Sequence, residues 1–83
     1  MDQADEFKSV LTSHILDRYL PGESRLAGDY LLKENGVLDS FKLLDLVSFV
    51  ETTFSVEVSP HEVSSLFNTV DDITALLVQK KRG

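Results

Sequence analysis

Between Asp5 and Leu20 the apolar residues Phe7, Val10, Leu11, Ile15, Leu16 and Tyr19 recur three and four positions apart, which places them on one face of a helix. Asp5 and Glu6 suit the positive end of that helix, and Pro21-Gly22 stops it, so the pattern predicts a first helix over about residues 4–20. From Glu23 to Leu38 no helical period is sustained, although Leu26, Tyr30, Leu31, Leu32, Val37 and Leu38 are all apolar. That stretch, punctuated by Gly28 and Asn35-Gly36, reads as a long loop packed against a core, and loops of such length accompany function more often than accident.

Asp39 is placed to cap a second helix, predicted over 40–54, in which eight of the fourteen residues from Phe41 to Phe54 are apolar. The alternating Val56-Glu57-Val58 then leads into Ser59-Pro60-His61-Glu62, a helix start with serine at the cap, proline at the first position and glutamate at the third. A short third helix is expected over 60–66. Thr69 and Asp72 repeat the capping spacing before Val70, Ile73, Leu76 and Leu77, predicting a last helix over 70–81 whose Lys80 and Lys81 suit its negative end. The expected fold is all-α: a small four-helix bundle of three longer helices and one short, with a long first loop, forming a single domain over residues 1–83.

Composition narrows the chemistry. The chain has no cysteine, which removes disulfides, thiolate metal sites and a nucleophilic thiol of its own. Fourteen acids face eight bases for a formal charge of −6, and three of the bases, Lys80, Lys81 and Arg82, stand at the end of the sequence. An acidic surface repels phosphate backbones and anionic lipid, so protein partners are expected, with no nucleic acid and no membrane. Asp2, Asp5 and Glu6 precede any apolar period, the reverse of a secretory signal, and cytoplasmic location is the expectation. His14 and His61 lack metal-ligand spacing, and no phosphate-binding glycine loop or nucleophile elbow is present.

Helical projection of the second helix gathers Leu43, Leu46, Val47, Val50 and Phe54 into a core-facing stripe. Phe41 and Leu44 fall outside it, near Asp45, Ser48 and Thr52; they either dock a partner or are covered by the preceding loop, and the pattern leaves both open. Ser40 opens the helix. A phosphate on its hydroxyl would lie beside unpaired amides and the positive end of the dipole, while serine at a helix start is more commonly a cap with no chemical role.

The run Leu32-Lys33-Glu34-Asn35-Gly36-Val37-Leu38-Asp39-Ser40-Phe41, followed by Leu44-Asp45-Leu46-Val47 and Glu51-Thr52-Thr53-Phe54, resembles the acyl carrier protein family. Helix order, the long first loop and the extended Val56 to Val58 piece are similar to that fold, so the resemblance covers nearly the whole chain. It implies a non-enzymatic carrier whose Ser40, beside Asp39, is modified by a phosphopantetheinyl transferase with 4'-phosphopantetheine from coenzyme A. The arm's thiol would hold acyl groups as thioesters for fatty-acid-like or specialised biosynthesis, supplying the sulfur that the chain lacks. The resemblance also implies docking of acyl-activating ligases and acyl-transfer enzymes, through basic patches, on the helix after the serine. The matching positions are Asp45 and Glu51 as charged contacts and Phe41 and Leu44 as apolar ones, with Lys42 and Ser48 beside them. A carrier that visits several enzymes is expected to be a monomer. Phe41 stands where leucine is usual, Lys42 where an acid is frequent, and Thr52 and Thr53 where housekeeping fatty-acid carriers have acids, which favours a specialised pathway. An aminoacyl or peptidyl carrier loaded by an adenylating ligase is the alternative, followed by a non-carrier acidic helical interaction module.

Overall fold

In a computed structural model that describes residues 3–82, the chain forms α1 (Gln3–Tyr19), α2 (Ser40–Phe54), α3 (Pro60–Leu66) and α4 (Val70–Arg82). The all-helical bundle expected from the apolar pattern is what these residues build; Met1, Asp2 and Gly83 lie outside the described set. The starts of α2, α3 and α4 have local causes. Asp39 accepts a hydrogen bond from the Lys42 amide at 2.8 Å, and Ser59 and Glu62 form a reciprocal capping box ahead of Pro60. Thr69 Oγ1 accepts from the Asp72 amide at 3.0 Å. α2 ends where Ser55 turns left-handed with φ of 55° and its amide returns to the Glu51 carbonyl.

The core is one cluster to which every long helix contributes a stripe. Phe7, Leu11 and Ile15 come from α1, Leu46, Val50 and Phe54 from α2, and Val70, Ile73, Leu76 and Leu77 from α4, with Phe67 sealed between α3 and α4. α1 lies along α4, and α2 and α3 close the remaining side. Residues of this size contribute about 1.5–3 kcal/mol each on burial, which is how a chain without disulfides offsets its ordering entropy. The edge-on contact of Phe7 with Phe54, centroids 5.2 Å apart, pins the start of α1 to the end of α2.

The long connection between α1 and α2 departs in part from its expected form. Leu32, Val37 and Leu38 are buried as expected, but Tyr30 and Leu31 are exposed. Residues 32–36 also coil into a tight turn that periodicity could not reveal, because its bonds are too few to repeat: Asn35 N reaches Leu31 O at 3.1 Å and Val37 N reaches Leu32 O at 2.9 Å. Gly36 ends the turn at φ +76°, a backbone region that side-chain-bearing residues rarely adopt. Val56 and Val58 are half-buried and Glu57 is exposed, as alternation implies, yet no named strand forms among the described residues.

Candidate functional site

Ser40 is exposed at the first position of α2, and nothing among the described residues hydrogen-bonds its hydroxyl. Its amide and that of Phe41 precede the first intrahelical bond of the turn, Leu43 N to Asp39 O at 2.9 Å, so they head the positive end of the helix dipole. The turn before it is anchored from two sides. Leu32 N donates to Asn68 O at 2.8 Å, Lys33 N to Asn68 Oδ1 at 2.9 Å, and Asn68 Nδ2 to the Glu34 carboxylate at 2.9 and 3.1 Å. Lys33 Nζ reaches the Ser64 carbonyl at 3.2 Å, satisfying an orphan acceptor at the end of α3. Val37 and Leu38 are buried immediately before Asp39, which leaves little slack between this anchor and the serine.

Asp45 sits where α1 meets α2, and its carboxylate is engaged within the chain. The Tyr19 hydroxyl donates to Oδ2, with the Lys42 carbonyl as a second acceptor at 3.2 Å. Arg18 Nη2 donates to Oδ1 at 3.3 Å, and His14 Nε2 lies 3.6 Å from Oδ2. His14 itself is stacked on Phe49 with ring centroids 3.7 Å apart. The Tyr19 bond above all, aided by Arg18, holds the Asp45 carboxyl below its ordinary range. Burial and the same bond push the Tyr19 hydroxyl well up. Burial also lowers the His14 imidazole, against the opposing pull of Asp45. Burial thus favours the neutral imidazole, which weakens the ionic character of its approach to Asp45.

Glu51 is half-buried, and its Oε2 accepts a hydrogen bond from the Val58 amide at 2.9 Å, tying the extended segment back onto α2. Both acids nominated as docking contacts thus have intramolecular duties that sequence spacing could not show. The apolar pair behaves differently. Phe41 is 84% exposed and Leu44 69% exposed, which removes the alternative that the preceding loop covers them. Together with Ser40, Asp45 and Ser48 they line one surface groove, while Arg18, Tyr19, Asp39, Phe41, Lys42 and Asp45 line another on the far side of Phe41.

Comparison with models of known protein families finds no match. Nor does comparison with curated proteins. The site therefore rests on its own geometry: a free hydroxyl at a helix start, an acidic cap beside it, and two large apolar side chains in solvent, Phe41 adjoining the serine and Leu44 one turn on. Arg18, Tyr19, His14, Lys33 and Asn68 are the residues that sequence reading missed here. Their partners in these contacts stand 23 to 36 positions away, and the only hint was that Tyr19 ends the apolar stripe of α1 with a polar tip. Among the described residues no cluster of His, Cys, Asp and Glu could hold a metal ion, and no helix is long and apolar enough to cross a membrane.

Proposed function

We propose that the chain is a carrier protein that holds acyl intermediates as thioesters on a 4'-phosphopantetheine arm attached to Ser40, in fatty-acid-like or specialised biosynthesis. The observation that carries this reading is the exposed, unbonded Ser40 hydroxyl at the head of α2 next to the Asp39 cap. The residues present fit the group. A phosphodiester on Ser40 would meet the amides that head the helix and the positive dipole end, and the exposed hydroxyl is reachable by a modifying enzyme. When bound, the arm would supply a thiol for thioester formation, which no residue of this cysteine-free chain provides.

The chain's own residues would position the arm. Asp39 fixes the first turn, the Asn68 anchor and buried Val37 and Leu38 restrain the approach to it, and the Asp45 clamp sets the angle of α2 against α1. The chemistry would be done by cytoplasmic partner enzymes, namely a phosphopantetheinyl transferase, an activating ligase and acyl-transfer enzymes, with the carrier itself a monomer that is not an enzyme. The test is incubation with coenzyme A and a broad-specificity phosphopantetheinyl transferase, read by intact mass. Wild type gains one arm and Ser40→Ala gains none; a wild type left unmodified while a known carrier is loaded in the same tube rejects the proposal.

A further inference from the structure

The formal charges of the residues lining the two grooves that flank Phe41 cancel. Asp39 and Asp45 are the acids bordering the two grooves that flank Phe41, and Arg18 and Lys42 are the bases. Asp45 is bonded to Arg18 at 3.3 Å and to Tyr19, and Asp39 is turned onto the Lys42 amide at 2.8 Å. Farther along α2, Glu51 is taken by the Val58 amide, and Thr52 and Thr53 carry no charge. The chain as a whole is at −6, so the surface bearing the serine is a neutral window in an acidic molecule. What this window offers instead is apolar: a phenylalanine 84% exposed and a leucine 69% exposed, one turn apart on a rigid helix.

We propose that partner enzymes recognise this chain by seating Phe41, with Leu44, in an apolar pocket, and not by laying a basic patch along α2. The inference rests on the carrier reading and deepens it by naming the chemistry of the partner surface. Charge complementarity argues for it. A basic patch brought to this face would meet Lys42 and Arg18 as well as the acids, and Asp45 is already paired with Arg18, so it would gain little steering or affinity. A neutral apolar pocket loses nothing to Lys42 and removes from water the two large side chains that the fold leaves uncovered. Asp45 then acts as a positioning residue, holding α2 so that Phe41 projects.

The experiment is calorimetric titration of the unmodified chain with the phosphopantetheinyl transferase at about 20 and about 300 mM salt, where screening differs strongly. Mass gain is followed in parallel, and circular dichroism verifies that each variant keeps its fold. Wild-type affinity is expected to change by less than about twofold between the two salts, and Phe41→Ser is expected to weaken binding by about tenfold or more with its fold intact. Lys42→Glu, which makes the window acidic, is expected to leave affinity within about twofold at the higher salt. A wild-type affinity that falls tenfold with salt, or a Phe41→Ser chain that binds like wild type, overturns the inference. If either occurs while Ser40 gains its arm, the docking inference alone fails. Absence of both binding and mass gain overturns it together with the carrier reading.

Discussion

Replacing Tyr19 by phenylalanine removes one oxygen and leaves the ring, so it isolates the hydroxyl that joins α1 to α2 through Asp45 and the Lys42 carbonyl. In the structure that hydroxyl donates to Asp45, whose side chain is 36% exposed and also receives Arg18. A hydrogen bond to a charged group is worth about 1.5–3 kcal/mol, and solvent access at this carboxylate reduces the expectation to about 1 kcal/mol. Arg18 remains to compensate the charge, so Tyr19→Phe strands no buried anion. For a domain of this size the loss corresponds to a fall in Tm of about 4–8 °C, or a matching shift of the urea midpoint at unchanged slope. The pH dependence supplies the sharper check. The folded-state pKa of Asp45 lies below the ordinary value of 3.8, so the unfolded chain takes up the proton first. The stabilisation is complete above that ordinary value and is lost as pH falls through the lower folded value. Urea titrations of wild type and Tyr19→Phe should therefore differ by the full amount at pH 7 and draw together in strong acid. A gap that is absent at pH 7, or that stays constant into acid, refutes the clamp.

Two further outcomes follow from the same contacts. The His14 imidazole is held below 6.5 mainly by burial, so the unfolded state binds its proton first and wild-type stability declines as pH drops below 6.5. His14→Gln should lose stability at neutral pH, through lost stacking on Phe49, yet show a flatter urea midpoint across that window; an unchanged slope counts against neutral burial of His14. Lys81 Nζ donates to the Phe54 carbonyl at 2.8 Å, capping α2 from α4. Lys81→Met keeps the aliphatic stem and should cost about 1 kcal/mol, with faster amide exchange at Val56 and Ser55 than at Leu46; uniform exchange would show that this bond does not hold the end of α2.

How much of this could be read from residues alone depended on how local the cause was. The starts of α2, α3 and α4 are written within four positions, in Asp39, in Ser59 with Pro60 and Glu62, and in Thr69 with Asp72, and the apolar spacing supplies the stripes that meet in the core. Burial of Leu32, Val37 and Leu38 was legible from hydropathy, whereas the exposure of Tyr30 and Leu31 depends on which side of a turn faces the bundle. Long-range polar bonds were not legible. Lys80 and Lys81 look like counter-charges for their own helix, but Lys80 pairs with Glu62 of α3 at 3.1 Å and Lys81 caps α2. Asp45 and Glu51 look like surface acids because helical projection records direction but not the Tyr19 hydroxyl or the Val58 amide waiting there. Phe41 and Leu44, undecided by pattern, are left in solvent because the loop turns inward at Val37 and Leu38 before it reaches them.

Everything proposed about function passes through one of the nine serines. The most direct measurement is fragment mass spectrometry of the chain after treatment with coenzyme A and a phosphopantetheinyl transferase. A single arm is expected on Ser40 and on no other serine. An arm found elsewhere, or no arm under conditions that load a known carrier, contradicts it.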